Sequence, residues 1–411
     1  MASEFNIFSD NFGWLEGGTL ALVNQIKLQA LSEGKQVLDL SMINPDLSPP
    51  RFLQDKLLES AVKPNSHRYA VSRGIRRLRE AFACKYARRF GIKLDPENEI
   101  CVCMGSKDGL QRLLQCFGAE QSAVLVGRPC YPAYLSALHL AQRRYDFFDI
   151  EESAELTLRN IKAKLATGLF GLVLLNFPNN PTSFTVDRDF YRSLKVEVEK
   201  VGCWVINDFV YGEMLYNGEP AQSLLAEPDM RKQAVEIYSL SKAYSVPGWR
   251  VAAIVGNSDL VRCLSRLKTH VDYGIFLPIQ EASAAGLAAE SGVVEPITAT
   301  YARRAIALAG GLRRLGWRVP AVQAGACVWA EVPPALRGQG SLEVTRRFLQ
   351  EFGVMPLPGV AFGKEYDDYL RFALVLSESA VQEVLERMRR LSLKLAGNTP
   401  ADSNFQEAKV F

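Results

Sequence analysis

From residue 99 to residue 255 the chain repeats one pattern: a short apolar run, a turn of small or polar residues, then a stretch of helical periodicity. The apolar runs fall at 100–104, 123–126, 171–177, 204–208, 235–238 and 251–255. Near-continuous apolar runs, rather than alternating ones, suit strands whose sheet is covered on both faces. Strands that alternate with helices build a mainly parallel sheet flanked by helices. The pattern predicts an α/β fold, and it predicts where chemistry collects, in the crevice beyond the C-terminal ends of the strands.

Outside this block the texture changes. Residues 19–33 and 51–62 have helical period, and a short strand beginning at Val37 runs into Asn44-Pro45-Asp46-Leu47-Ser48-Pro49-Pro50. An irregular loop ends at Gly74, before a helix over 75–90. Beyond 257 come long helices at 260–267, 278–288 and 294–315. Short strands at 328–332 and 370–376 then alternate with helices at 341–352 and 378–396. At 411 residues two domains sharing one site are expected. These are a large domain over 49–290 and a smaller α+β domain over 291–396, which the N-terminal segment 1–48 joins in space, with 397–411 as a tail.

The 48 basic and 45 acidic residues nearly cancel and form no basic block, so a nucleic-acid partner is not expected. The N-terminus lacks the basic region and apolar core of a signal peptide, and the apolar runs are too short to cross a bilayer. Eight cysteines with no C-x-x-C pair read as reduced, buried thiols in a cytoplasmic protein. His67, His139 and His270 have no metal-ligand spacing, so no metal is expected.

Successive strand ends carry polar motifs. Gly105-Ser106-Lys107 lies where a strand meets a helix, and the free N–H groups and dipole of a helix start suit a phosphate. Asn176-Phe177-Pro178-Asn179-Asn180-Pro181 holds its asparagines between prolines that stiffen the loop. Asp208 ends an apolar strand, where a buried carboxylate requires a cationic partner, and Tyr211 follows three residues on. Ser239-Leu240-Ser241-Lys242 ends the next strand, and Arg250 stands eight positions later. A desolvated lysine becomes a nucleophilic amine, and an arginine grips a phosphate with two prongs. Amine, phosphate clamp and a carboxylate for a protonated pyridine nitrogen are together what pyridoxal 5′-phosphate (PLP) requires.

With these motifs in this order, the chain resembles a fold-type I PLP-dependent aminotransferase of class I/II from about Val37 to the helix after Arg371. Within that family it is similar to the alanine (glutamate–pyruvate) and LL-diaminopimelate aminotransferase group. His67-Arg68-Tyr69, Gly105-Ser106-Lys107, the stretch from Asp272 to Gln280 and Asp367-Asp368-Tyr369-Leu370-Arg371 carry that likeness. The resemblance implies that Lys242 forms the Schiff base and shuttles the substrate Cα proton, and that Asp208 keeps the pyridine nitrogen protonated. It implies that Asn180 and Tyr211 reach the ring's phenolate oxygen and that Tyr131 stacks on the ring. Gly105, Ser106, Lys107, Ser239 and Arg250 would form the phosphate cup. Tyr69 would reach the phosphate from a second subunit, making a homodimer with shared sites, and Tyr273 lies in a stretch also contributed across that dimer. Arg371 would grip the substrate α-carboxylate, with Ile43 and Asn180 beside it.

Three departures fall on the substrate side. Where the family usually has glycine in a G-N-P-D phrase, this chain reads Ile43-Asn44-Pro45-Asp46, which removes glycine's backbone freedom and adds bulk. Ser183 follows Asn180-Pro181-Thr182 where glycine or alanine is usual, a mild change. The segment Ala324-Gly325-Ala326-Cys327-Val328 replaces larger residues and is expected to widen one wall. The leading expectation is ping-pong amino transfer from an L-amino acid to a 2-oxo acid. Alternatives on the same cofactor are oxidation by O₂, elimination or decarboxylation, and a further one is a non-enzymatic regulator on the same fold.

Overall fold

The computed structural model describes residues 18–118, 122–289 and 292–395, with the side chains of 391–395 left aside. The expected tail at 397–411, the first seventeen residues and the last residue of the expected 378–396 helix lie outside the described residues.

The strands, in chain order, are β1 (Leu38–Leu40), β2 (Ile100–Cys103), β3 (Ala123–Arg128), β4 (Tyr145–Asp149), β5 (Phe170–Leu175) and β6 (Trp204–Asp208). They continue with β7 (Ala234–Ser239), β8 (Ala252–Gly256), β9 (Cys327–Glu331), β10 (Val354–Pro358) and β11 (Tyr369–Ala373). Seven of them form one sheet in the order β2-β8-β7-β6-β5-β3-β4. Its pairs are parallel except those of β8, which runs antiparallel to both β2 and β7. Every residue of β2, β7 and β8 is buried, as the continuous apolar runs require. The order reverses between β3 and β5, so the crevice at that switch lies beside the ends of β5, β6 and β7.

A second, four-stranded sheet has the order β1-β10-β11-β9, with β1 parallel to β10 and the other pairs antiparallel. The N-terminal strand thus enters a sheet otherwise built from residues beyond 326. Two strands escaped the sequence reading. Edge strand β4 (Tyr-Asp-Phe-Phe-Asp) is only partly buried, and acids at its second and last positions interrupt the apolar pattern. β10 contains Pro356 and Pro358, which punctuate its apolar pattern, yet it is buried throughout.

All eight cysteines are free, but the expectation that all are buried is corrected: Cys84 and Cys263 are exposed on helix surfaces. Among the described residues no helix is long and apolar enough to cross a membrane.

Candidate active site

A cavity of about 260 Å³ opens at the C-terminal ends of β5, β6 and β7. Ile43, Ser106, Lys107, Tyr131, Asn180, Asp208, Tyr211, Ser239, Lys242, Arg250 and Arg371 all line it, although they are spread over 329 positions of sequence.

The Lys242 side chain is partly buried. Burial and the nearby guanidiniums of Arg371 and Arg250 push its pKa down to about 8. Its Nζ donates to the Ile43 carbonyl at 2.6 Å. Asp208 at the end of β6 is the opposite case, with burial pushing its pKa up to about 6 against the opposing hydrogen bonds from Tyr134 and the Val210 backbone. Tyr134 donates to Asp208 Oδ2 at 2.6 Å, while Oδ1 is buried with no partner. An unpaired buried carboxylate oxygen calls for a donor.

The loop after β5 is bolted to the end of β6. Asn176 Nδ2 donates to the carbonyls of Pro178 (3.1 Å) and Asp208 (2.7 Å), and its Oδ1 accepts from the Asn180 amide at 2.9 Å. One layer deeper, Asn207 accepts from the Phe177 amide and donates to the fully buried Glu236. Asn180 Oδ1 then accepts from Arg371 Nη1 at 3.2 Å. Arg371 Nη2 donates to the Ser41 carbonyl at 2.5 Å, and its Nε is buried without a partner.

Gly105 caps the helix Ser106–Gln115 at a φ of 88°. A Cβ there would fall 2.1 Å from Arg250 Nη2, so glycine is what lets the guanidinium lie against the helix start. The helix N-terminus, Arg250, Ser239 and the exposed Lys107 concentrate positive potential and donors at one end of the cavity.

Tyr69 and Tyr273 stand apart from the cavity lining. They are 86% and 63% exposed and pair with each other at a ring separation of 4.6 Å. Their loops are fixed together, because Ser72 donates to the Asp272 carbonyl at 2.7 Å and the buried Lys268 holds the Asp272 carboxylate.

The departures from the usual family pattern resolve differently. Ile43 is not among the residues with positive φ, and the Asn44 amide donates to the Met42 carbonyl at 2.9 Å, an i→i+2 closure centred on Ile43. With φ outside the left-handed region any L-residue fits, so the change adds bulk without backbone strain. Ser183 does adopt a left-handed φ of 62°, and its hydroxyl bonds the Cys327 carbonyl at 3.0 Å. The widening expected from residues 324–328 is corrected. None of them lines the cavity, and the buried Cys327 packs against the Asn180–Pro181 loop, its Sγ 3.4 Å from the Pro181 carbonyl.

Sequence reading gave no role to Asn176 and Ser241, although both stand in its strand-end motifs, and it missed Tyr134 together with the apolar lining residues Leu20, Met42 and Leu357. For Tyr134 the available signal was its place three residues after Tyr131, in the first turn of the helix Ala133–Leu140. The apolar residues gave none.

A mainly parallel sheet with a depressed lysine, a half-satisfied buried carboxylate and a basic cradle at a helix start is the framework of enzymes that handle amino acids on PLP. Comparison with known proteins narrows this. Residues 35–388 match the family described as aminotransferase class I and II, and the chain belongs to that family. It is 34% identical over 388 residues to the glutamate-pyruvate aminotransferase AlaC of Escherichia coli (strain K12), covering 92% of each chain. It is 32% identical to the LL-diaminopimelate aminotransferase of Syntrophobacter fumaroxidans over 90% of this chain and 95% of that one. The solved structure of substrate-bound BacF from Bacillus subtilis superposes with a TM-score of 0.83 at 28% identity, covering 91% and 94% of the two chains. The protein is an aminotransferase of a family that works with PLP. These relatives give no support to an oxidase, lyase or decarboxylase outcome, or to a regulator without activity.

Proposed function

We propose that this cavity binds PLP on Lys242 and exchanges amino groups between an L-amino acid and a 2-oxo acid held by Arg371. The observation that carries the reading is the pairing, in one cavity, of the Lys242 amine lowered to about 8 with the unpartnered Asp208 Oδ1. Bound there, PLP supplies an electron sink for the pair left when the substrate Cα–H bond breaks.

The chain's own groups do the rest. Asp208 holds a proton on the ring nitrogen through Oδ1, and Tyr134 keeps its other oxygen in place. Lys242 attaches the cofactor and, when released, is the base that takes and returns the Cα proton. Asn180 and Tyr211 donate toward the ring oxygen, and Tyr131 covers one ring face. Ser106, Lys107, Ser239, Arg250 and the helix start behind Gly105 hold the phosphate. Arg371, with Nε free and Nη1 already oriented by Asn180, takes the α-carboxylate, beside Ile43.

The active form in this reading is a homodimer, with Tyr69 of the partner subunit reaching the phosphate and Tyr273 of the partner subunit near the substrate. Support comes from the exposure of that tyrosine pair among further exposed apolar residues, Val62, Val71 and Met104. A large domain over 49–290 and a small one over 291–396, with 1–48 joining the latter, fit the pairing of β1 with β10. The packing of the helix Arg51–Ala61 on Leu277–Ala288 agrees with that division. Eight free thiols agree with a reducing cytoplasm.

Borohydride reduction of the PLP-loaded protein tests the reading. The pyridoxyl mass is expected on the peptide carrying Lys242 and absent from Lys242→Ala, and a label on another lysine would overturn it.

A further inference from the structure

Around Arg371 the cavity divides by chemistry. One side is polar and already assigned: Arg250 and Lys107 to the phosphate, Lys242 to the cofactor, Arg371 to the α-carboxylate. The N-terminal segment and β10 contribute the apolar lining residues Leu20, Met42, Ile43 and Leu357. We infer that these four side chains form the pocket for the substrate side chain, and that the enzyme selects amino acids with an uncharged, apolar side chain over dicarboxylic ones. The inference rests on the amino-acid reading of the cavity given above.

The wall is built to stay in place. The turn at Ile43 is closed by the Asn44–Met42 backbone bond, and the Ile43 carbonyl accepts from Lys242. Three residues on, Asp46 is gripped by both arms of Arg304, at 2.6 and 2.7 Å, and the Leu47 carbonyl accepts from Ser245. Arg304 is itself buried and also donates to the Leu374 carbonyl. The loop is thereby tied to the helix Glu295–Arg314 and to the segment after Lys242. Leu357 on β10 is buried, and Leu20, in the first turn of the helix Thr19–Ser32, lines the cavity while staying partly exposed.

Among the described residues lining this cavity every cation has another role, so a second substrate carboxylate would lie against aliphatic and thioether side chains and lose part of its hydration with no lining cation to compensate. An apolar side chain there gains burial instead, and each methylene placed or missing in such a pocket shifts the rate constant roughly tenfold or more.

The test is the half-reaction without acceptor. PLP-loaded protein is mixed with L-leucine, L-methionine, L-phenylalanine, L-aspartate or L-glutamate, and the change in cofactor absorbance gives a second-order rate constant for each. The best apolar amino acid is expected to exceed both dicarboxylic ones by about tenfold or more. Ile43→Gly is expected to shrink that ratio and Ile43→Val to keep it, both variants retaining the cofactor spectrum. L-aspartate or L-glutamate reacting as fast as the best apolar amino acid would overturn the inference, as would a ratio unmoved by Ile43→Gly. No reaction with any of the five, in protein carrying the cofactor on Lys242, would overturn this inference alone, whereas failure to load the cofactor on Lys242 would bring down the reading it rests on.

Discussion

Removing the Tyr134 hydroxyl isolates the least obvious part of the cofactor site. In the wild type Asp208 is fully buried and titrates at about 6, with the 2.6 Å bond from Tyr134 among the interactions that keep it from rising further. A hydrogen bond to a charged acceptor contributes about 1.5–3 kcal/mol. At 1.36 kcal/mol per pH unit, Tyr134→Phe raises the carboxyl by roughly one to two units, to about 7–8. A carboxyl with a raised pKa keeps its charge only above that pKa and loses it as pH falls through it. The ionised carboxylate that holds a proton on the ring nitrogen is therefore present in the wild type down to about pH 6, whereas the variant lacks it below about 7–8. PLP affinity of the apoprotein, measured by titration from pH 6 to 9, is expected to be about tenfold weaker in the variant near pH 6.5. The two proteins should converge near pH 9. A loss equal at both ends of the range would mean that Tyr134 merely packs the wall. No loss anywhere would refute the electrostatic account.

Two further perturbations bear on the same geometry. Because the Lys242 amine is lowered to about 8, its neutral form is present above that pH and lost as pH falls through it, to roughly one part in ten at pH 7. The rate of PLP capture by apoprotein should climb about tenfold from pH 6 to 7 and flatten above 8, and a midpoint near the ordinary lysine value would contradict the desolvation argument. Arg304→Met leaves Asp46 without its two-armed partner. With Arg304 buried but Asp46 about a third exposed, the loss of stability should lie near the low end of that for a buried pair, ~3 kcal/mol, read as a lower denaturant midpoint at unchanged slope.

The sequence alone determined the parallel-sheet block, because buried strands must be apolar on both faces and that requirement is local. It also determined the chemical identity of the strand-end residues, from Gly105 through Asn180 and Asp208 to Lys242, since a nucleophilic amine and a charged partner can be recognised by residue type. The β4 and β10 strands were illegible: two acids hid the first and prolines the second, and only pairing with neighbours makes them strands.

The partners were equally out of reach. Nothing in residues 131–134 says that the second tyrosine, and not the first, donates to Asp208 74 positions later. The substrate wall shows the limit most clearly. Sequence marked Ile43 as unusual, and reading it as lost backbone freedom was reasonable. The fold shows a turn that does not need glycine, and only the approach of the N-terminal helix and β10 sets Leu20, Met42 and Leu357 beside it. Aliphatic residues carry no chemical signature of their own, so whether they serve as core or as pocket is decided by what the tertiary structure leaves empty next to them.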